Sequence, residues 1–460
     1  MSVYDVAVLG GGPGGYVAAL RAAQRGAATC LVEMGNLGGV CLNVGCIPTK
    51  AMLHASDVYH SLGSVDVFGL SAGTAEVDGP AFMKRVTGVV DGLRKGVGAL
   101  LKKRGVDVIR GRGRLTGRDR LAVETDDGTE EVQARAIILA TGSSPVRPGF
   151  APWESDRLWT TDEATTAEAL PESVLIVGGG VIGCEFATIY AELGIPTTVV
   201  EMLDRLLPTL DEDASKAVRK SLKRRRVTIL TGAKITTMEA TDEQVTAQLE
   251  GGRSLEVDRA LVAVGRAANL DDLGLEDVGI ERHGGIIRVD DACRTSVDGV
   301  YAVGDCAAEL QYAHLASRMG TVAADNATGH PSRDAFTVVP QVVYTHPEIA
   351  TVGLTEAEAR HSGRDVRVAR FPFQASGMAR AYDATEGEVE LIAETEHGEI
   401  LGAAVIAARA ADIIQEITLA MKNELTVEEV AGTIHPHPTF GEAVHEAAEL
   451  WLGFPVHTAG

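Results

Sequence analysis

In residues 3–15, VYDVAVLGGGPGG, an apolar run leads directly into a glycine-rich turn, and this arrangement is the strongest indication of the chain's architecture. Gly10, Gly12 and Gly15 fit the pattern G-x-G-x-x-G, and an alanine-rich helical pattern follows. A second apolar run then ends on Glu33. Glycines at these positions let the backbone approach a pyrophosphate at the start of a helix, and the acid can bind a ribose hydroxyl. The stretch predicts a strand–turn–helix–strand unit that binds a dinucleotide.

The same arrangement occurs a second time in the chain. The second copy consists of an apolar run at 174–177, the glycines Gly178, Gly180 and Gly183, and a run at 197–200 that ends on Glu201. The last glycine and the acid are 18 residues apart in both copies. One such motif is a weak indication. Two motifs with equal spacing favour an α/β protein with two Rossmann-like dinucleotide-binding domains over two glycine-rich turns in an ordinary α/β fold.

Glu201 also indicates which nicotinamide dinucleotide is bound. A carboxylate accepts hydrogen bonds from the 2′-hydroxyl of NAD and repels the 2′-phosphate of NADP. The next residues are Met202, Leu203 and Asp204, so no arginine follows that could hold the phosphate. The second unit is therefore predicted to bind NAD.

The length and charge of the chain restrict its organisation and its partners. A chain of 460 residues is too long for one core and suggests two to four domains. The formal net charge of −22 repels nucleic acid and anionic membranes and would attract a basic protein partner. The first residues lack the pattern of a signal peptide, and apolar runs are too short for a membrane span, so we expect a cytoplasmic protein.

Two of the six cysteines lie close together in GGVCLNVGCIPTKAM, residues 38–52. In a reducing compartment such a pair is more often catalytic or metal-binding than structural. A zinc site would need further ligands at suitable spacing, so no metal is predicted and metal binding by Cys41 and Cys46 remains the alternative. Pro48 and the helical pattern that follows indicate that Cys46 lies near a helix N-terminus, where the dipole lowers a thiol pKa.

Five segments, in this order, resemble the class I pyridine nucleotide-disulfide oxidoreductases, which are FAD-dependent. They are the cysteine segment 38–52, ILATGSSP (138–145), TSVDGVYAVGDC (295–306), YTHPEIATVGLTEAEA (344–359) and HPHPTFGEA (435–443). The last segment resembles the dihydrolipoamide dehydrogenases within this family. Two departures are local: Ala268 replaces a common proline, and CAAELQYAH follows Asp305 in place of a glycine-rich run.

The resemblance implies roles for the residues around the cysteine pair. Cys41 and Cys46 would form the redox-active disulfide, with Cys41 exchanging with substrate and Cys46 facing the flavin. Lys50 would approach the flavin and pair with Glu185 beside the nicotinamide. An ordinary surface pair of Lys50 and Glu185 is the alternative.

The resemblance also implies a base near the C-terminus. His437 would take a thiol proton, and Glu442 would fix its tautomer and raise its basicity. In the family this base comes from the other subunit, which requires a homodimer. His435 matches a structural position, and His346 and His445 are given no functional role.

Together the motifs and the resemblance predict the residues that contact each cofactor. For FAD they are Gly10, Gly12, Gly15, Glu33, Lys50, Gly113, Thr141, Gly142, Asp305 and Ala313. For NAD they are Gly178, Gly180, Val181, Gly183, Glu201, Gly265 and Arg266.

The expected organisation follows the order of the motifs. A discontinuous FAD-binding domain would comprise 1–147 and 276–334, an NAD-binding domain 148–275, and an α+β dimerisation domain 335–460. The expected activity is oxidation of protein-bound dihydrolipoamide with NAD, within 2-oxoacid dehydrogenase or glycine cleavage complexes. The expected partners are lipoyl domains and a basic subunit-binding domain of an acyltransferase core.

Two alternatives remain at this point. One is another NAD(P)H-dependent disulfide reductase of the same family. Mercuric reductases and large thioredoxin reductases need a C-terminal cysteine pair, whereas no cysteine follows Cys306. Glutathione reductases prefer NADPH, whereas Glu201 favours NAD. The other alternative is a non-catalytic flavin-binding interaction subunit, which would need neither the cysteine pair nor His437 and Glu442.

Overall fold

The computed structural model describes residues 2–459. The strands, in chain order, are β1 (Ser2–Leu9), β2 (Thr29–Glu33), β3 (Asp107–Arg110), β4 (Arg112–Gly117), β5 (Arg120–Thr125), β6 (Gly128–Leu139), β7 (Ser143–Pro145), β8 (Leu158–Trp159), β9 (Val174–Val177), β10 (Thr197–Glu201), β11 (Thr228–Thr231), β12 (Ile235–Ala240), β13 (Val245–Leu249), β14 (Ser254–Val257), β15 (Arg259–Val262), β16 (Arg266–Ala268), β17 (Arg282–His283), β18 (Ile286–Ile287), β19 (Val300–Ala302), β20 (Gln341–Val343), β21 (Glu348–Gly353), β22 (Val366–Pro372), β23 (Glu388–Glu394) and β24 (Ile400–Ala407).

The α-helices are α1 (Pro13–Gln24), α2 (Gly39–Asn43), α3 (Cys46–Ser61), α4 (Gly79–Lys103), α5 (Thr161–Thr166), α6 (Val181–Glu192), α7 (Glu212–Arg224), α8 (Leu275–Val278), α9 (Ala313–Ala327), α10 (Glu356–His361), α11 (Gly377–Ala381), α12 (Ala410–Lys422), α13 (Val427–Ala431) and α14 (Glu442–Leu452).

The first sheet is built around β1, whose C-terminal half is buried on both faces, as in covered parallel sheets. Strands β3, β2, β1 and β6 are parallel neighbours, and β5 and β4 continue the sheet as antiparallel strands. Strand β19 pairs with β6, so a distant part of the chain joins the same sheet. Helix α1 packs against α9 beside this sheet.

The second sheet repeats this plan with the order β11-β10-β9-β15-β8, and its strands are parallel. Strand β9 leads into a glycine turn and a 12-residue helix, α6, as β1 leads into the 12-residue α1. A small antiparallel sheet, β12–β14, lies beside it. Each glycine turn therefore lies at the carboxyl end of a central parallel strand, where such folds bind ligands.

The C-terminal region has a different architecture. Strands β20-β21-β24-β23-β22 form an antiparallel sheet, and helices α12 and α14 pack against it around a separate core. Strands β23 and β24 form a hairpin, and α12 follows β24 along the chain. The predicted fold class, two α/β units followed by an α+β region, is confirmed.

Helices α3 and α6 pack side by side and join the two α/β units. Met52 and Leu53 of α3 share one hydrophobic cluster with Phe186 and Tyr190 of α6. This contact brings the start of α3, where Cys46 lies, near the start of α6.

Candidate active site

The two glycine turns use their glycines in the same way. A Cβ on Gly15 would lie 1.8 Å from the carbonyl oxygen of Gly10, and one on Gly183 would lie 1.9 Å from that of Gly178. Such distances exclude any side chain, so these glycines let each helix pack directly on its turn. A Cβ on Gly180 would meet no atom within 4 Å, so this glycine keeps open space in front of helix α6.

The N-termini of α1 and α6 have free backbone donors. Gly12 and Gly180 are the N-cap residues; they provide no side-chain cap, and no acidic residue lies in either first turn. The first amide groups of a helix have no partner within the helix, and with the helix dipole they favour a phosphate group. Both turns therefore fit the pyrophosphate of a dinucleotide.

The acids at the ends of β2 and β10 hold the turns in matching ways. Glu33 accepts hydrogen bonds from the amides of Gly11 and Gly35, both at 2.6 Å. Glu201 accepts from the amide of Gly179 at 2.5 Å and from that of Leu203 at 2.7 Å. Each carboxylate oxygen uses one of its acceptor positions in this way and retains capacity for a ribose hydroxyl.

The cysteine pair lies at the start of α3. Cys46 is the first residue of this 16-residue helix and is exposed, while Cys41, in α2, is half-buried. The hydrogen bond from the Cys41 thiol and the charge of Lys50 together lower the pKa of Cys46 to about 7, although desolvation by the surrounding protein opposes them. The same contact and burial raise the pKa of Cys41. The pair therefore has one thiol that ionises near neutral pH and one that stays protonated.

Lys50 and Glu185 form an ion pair across the α3–α6 contact. Lys50 Nζ lies 2.9 and 2.8 Å from the two carboxylate oxygens of Glu185, which is 3% exposed. The amide of Tyr344 donates to Glu185 at 3.0 Å, and Lys50 Nζ lies 4.5 Å from the centroid of the Tyr344 ring. Burial disfavours the ammonium, but Glu185 keeps the pKa of Lys50 above its ordinary value. Lys50 thus remains a cation one helical turn from Cys46.

His437 and Glu442 are paired in the C-terminal region. His437 Nδ1 lies 2.7 Å from Glu442 Oε1, and the amide of Thr439 donates to Glu442 Oε2 at 2.6 Å. These hydrogen bonds hold the pKa of Glu442 below its ordinary value although partial burial opposes them. The carboxylate fixes the Nδ1 side of the imidazole, which leaves Nε2 to accept a proton. The His437 side chain is 80% exposed in the single chain.

Comparison with known proteins agrees with this geometry. The family model described as pyridine nucleotide-disulphide oxidoreductase matches residues 4–320, and the model of its dimerisation domain matches residues 339–448. The chain belongs to the pyridine nucleotide-disulphide oxidoreductase family.

Similarity to individual members of this family extends over nearly the whole chain. A dihydrolipoyl dehydrogenase of Bacillus subtilis is 40% identical over 99% of both chains. One from Halobacterium salinarum is 42% identical over 99% of this chain and 97% of its own. The crystal structure of LpdA from Mycobacterium tuberculosis superposes on this chain with a TM-score of 0.91 at 31% sequence identity. The superposition covers 98% of this chain and 99% of the LpdA chain.

Family membership confirms several predictions made from the sequence. The protein is an oxidoreductase that uses FAD and NAD. It carries the dimerisation domain of the family, which supports a homodimer. Within residues 2–459, no helix is both long and apolar enough to cross a membrane.

The structure brings Asp305 and Arg266 together through a residue that the sequence analysis missed. Ser143 Oγ donates to Asp305 at 2.6 Å and accepts from Arg266 Nε at 2.8 Å, while the Arg266 guanidinium also donates to the Ser143 carbonyl at 2.7 Å. Burial lowers the pKa of Arg266, with the carboxylate of Asp305 opposing it. Arg266, predicted among the NAD contacts, thus contacts the segment that carries the predicted FAD residues.

The remaining predicted cofactor residues lie at turns, helix starts or within the sheet. Thr141 donates to the Asn269 carbonyl at 2.8 Å, and Gly142 and Gly265 have positive φ. Val181 and Ala313 are the first residues of α6 and α9. A Cβ on Gly113 would lie 2.6 Å from the Leu9 side chain, so Gly113 allows β4 to pack against β1.

The other cysteines differ from the pair in their burial. Cys30, Cys184, Cys293 and Cys306 are buried. Burial raises the pKa of each of these thiols, to about 12 for Cys30 and Cys293. They are therefore protonated and unreactive at neutral pH.

Proposed function

We propose that the protein is a dihydrolipoyl dehydrogenase that oxidises protein-bound dihydrolipoamide with NAD. The observation that carries the proposal is the combination of a low-pKa thiol at Cys46 with a carboxylate-held imidazole at His437. The relatives named dihydrolipoyl dehydrogenase, similar over nearly the whole chain, support the substrate. A flavin-binding subunit without catalysis would need neither group, which disfavours that alternative.

In the proposed reaction the oxidised enzyme holds a Cys41–Cys46 disulfide. His437 Nε2 takes a proton from one dihydrolipoamide thiol, and the resulting thiolate attacks the sulfur of Cys41. The bond between Cys41 and Cys46 breaks and leaves Cys46 as a thiolate. The second dihydrolipoamide thiol then displaces Cys41, which closes the lipoamide disulfide and leaves Cys41 protonated.

The polar residues around Cys46 suit this sequence of steps. Lys50 stabilises the Cys46 thiolate that the first step produces, and the Cys41 thiol adds a hydrogen bond to this thiolate once the second step has released it. FAD, when bound, supplies the two-electron chemistry that carries the reducing equivalents to NAD. Gly10, Gly12, Gly15 and Glu33 would hold FAD, and Gly178, Gly180, Gly183 and Glu201 would hold NAD.

The exposure of His437 supports a site shared between two subunits. An imidazole that is 80% exposed in its own chain is not enclosed with Cys41 and Cys46 of that chain. Ile434, Phe454 and Val456, from the same region, are 95%, 70% and 71% exposed. Apolar side chains this exposed are typical of a surface that a partner covers. We assign this surface to the homodimer, with His437 of one subunit serving the disulfide of the other.

The acidic surface supports the proposed wider assembly. A net charge of −22 would attract the basic subunit-binding domain of an acyltransferase core, whose lipoyl domains carry the substrate. We place this assembly in the cytoplasm, where reducing conditions keep dihydrolipoamide from being oxidised before the enzyme acts on it.

The proposal is tested by measuring NADH formation from dihydrolipoamide and NAD. The wild type should turn over, and Cys41→Ser and Cys46→Ser should lose activity by at least about a hundredfold while FAD stays bound. Only Cys46→Ser should also lose the long-wavelength absorbance of the two-electron-reduced enzyme, because Cys46 is the sulfur beside the flavin. A buried cysteine provides the control, since Cys306→Ala should retain activity. Near-normal turnover in either variant of the pair would refute the proposal.

A further inference from the structure

The turn between β20 and β21 contacts the active-site ion pair. Tyr344 is the first residue after β20, and its amide donates to Glu185 Oε1 at 3.0 Å. Its ring lies 4.5 Å from Lys50 Nζ, close enough for a favourable cation–π contact. A segment of the C-terminal region therefore contacts both members of the pair.

Two residues later the same turn is attached to the same helix. His346 Nδ1 lies 2.7 Å from Glu192 Oε1, and the His346 carbonyl accepts a hydrogen bond from Ser221. Glu185 and Glu192 are seven residues apart on α6, so they lie on one face of the helix, two turns apart. The turn is thus held at two points on α6, one of which is the active-site carboxylate.

The second attachment point is a buried charge network. The Glu192 side chain has no exposed surface, accepts from Ser56 Oγ at 2.8 Å and pairs with Arg225 at 3.0 Å. Although burial opposes ionisation, His346 and Arg225 hold the pKa of Glu192 below its ordinary value. The carboxylate is therefore charged, and the imidazole donates to it. Removing one partner from a buried charge pair is strongly destabilising, so His346 is firmly held.

The same cluster could be taken for a metal site. Ligand atoms of Asp57, Glu192 and His346 lie within 4.8 Å of one another. The Arg225 guanidinium, however, already supplies a positive charge 3.0 Å from a Glu192 oxygen and would repel a metal ion. The cluster is better described as an ion-pair network that joins the C-terminal region to α3, α6 and α7.

We propose that His346 is a positioning residue, which holds the turn so that the Tyr344 amide keeps Glu185, and with it Lys50, in place beside Cys46. The inference rests on the proposed function, because Cys46 is taken to be the reacting thiolate. Lys50 and Glu185 act on Cys46 in opposite directions, so the position of Glu185 sets their balance. If the amide donor is lost, Glu185 draws Lys50 toward itself and away from the thiol.

This proposal predicts a change in the ionisation of Cys46. Its titratable and charged neighbours are Cys41, Lys50, Glu185, Tyr344 and Arg266. Replacing His346 alters none of these groups chemically, so any shift would have to come from their positions. A weaker contact with Lys50 destabilises the thiolate and raises the pKa of Cys46.

The experiment uses FAD-loaded protein that carries Cys41→Ser, so that Cys46 is the one accessible thiol and a serine hydroxyl takes the place of the Cys41 thiol beside it. The thiolate absorbance in the ultraviolet is followed against pH, and thermal unfolding is measured in parallel. His346→Leu and His346→Ala should raise the midpoint by about half a unit or more. His346→Asn should restore the original midpoint, because its amide nitrogen occupies the position of Nδ1 and can donate to Glu192.

Ser56→Ala is the matched control, since it removes a donor from the other oxygen of Glu192 without touching the turn. It should lower the unfolding temperature and leave the midpoint unchanged. If His346→Leu and His346→Ala also lower stability without moving the midpoint, His346 is only structural and the proposal is wrong. If both fail to fold, His346→Gln carries the test: its amide nitrogen occupies the position of Nε2 instead of Nδ1, so it should raise the midpoint, and an unchanged midpoint overturns the proposal. The titration uses no dihydrolipoamide, so failure of the proposed function would appear separately, as absence of wild-type turnover.

Discussion

The substitutions Gly180→Ala and Gly183→Ala should separate two roles that the same motif combines. At Gly180 the backbone is extended, and an added Cβ meets no atom within 4 Å. Alanine reduces the entropy of the unfolded chain but is a poorer N-cap than glycine, so stability should change by less than about 1 kcal/mol. At Gly183 the Cβ would lie 1.9 Å from the Gly178 carbonyl oxygen. Helix α6 would have to move, which costs about 1–3 kcal/mol.

Gly180→Ala should weaken the binding of NAD, although it changes the stability of the protein little. The new methyl group lies in front of the free amides at the start of α6, where the pyrophosphate would approach. The loss of one hydrogen bond to a charged group costs about 1.5–3 kcal/mol, which corresponds to about a tenfold to hundredfold rise in the KM for NAD. The kcat should change less than the KM, because the cysteine pair is not altered.

The assay varies NAD at saturating dihydrolipoamide and records thermal unfolding of each variant. Gly180→Ala should unfold like the wild type and bind NAD weakly, while Gly183→Ala should unfold at a lower temperature. An unchanged KM for NAD in Gly180→Ala would refute the assignment of this turn to the pyrophosphate. Equal stability of the two variants would refute the argument from close packing.

Three further predictions concern other parts of the site. The wild type should prefer NAD to NADP by more than about tenfold in kcat/KM. Glu201→Gln should narrow this ratio because a neutral amide no longer repels the 2′-phosphate of NADP. Equal use of both dinucleotides by the wild type would contradict the assignment of Glu201 to the ribose. Lys50→Met should raise the pKa of Cys46 from about 7, so that alkylation of the reduced enzyme by iodoacetamide slows at neutral pH. An unchanged pH profile of alkylation would exclude Lys50 as a source of the low pKa. A heterodimer of His437→Gln and Cys41→Ser subunits should recover about half of the wild-type activity. The His437→Gln homodimer lacks the general base, which typically costs about 10²–10⁴-fold, and the Cys41→Ser homodimer lacks the disulfide. No recovery would mean that base and disulfide belong to one chain, or that His437 is not the base.

The local features of the site could be predicted from the sequence because they depend on short spacings. Apolar runs and glycines gave the strand–turn–helix units. The pattern after Pro48 predicted that Cys46 lies near a helix N-terminus, and α3 begins at Cys46. The pairing of His437 with Glu442 spans five residues. Such features follow from periodicity and from motif position.

The long-range contacts could not be predicted in the same way. His346 was given no role, yet it lies 2.7 Å from Glu192, a residue 154 positions away. Ser143 links Asp305 with Arg266, and these residues come from three separate segments. A single serine or histidine in a loop carries no periodic signal, and its partner depends on how the domains pack. These contacts required the three-dimensional structure.

The burial of four of the six cysteines has a consequence for cells exposed to electrophiles and oxidants. In the reduced enzyme, a reagent that modifies thiolates encounters one accessible target in each subunit, so the dose that inactivates the enzyme should approach one equivalent per subunit. Damage at that target leaves the hydrophobic cores intact, and the protein should stay folded while its sulfur is blocked. Modifications that thiols can reverse, such as mixed disulfides, should then be repaired without resynthesis of the protein.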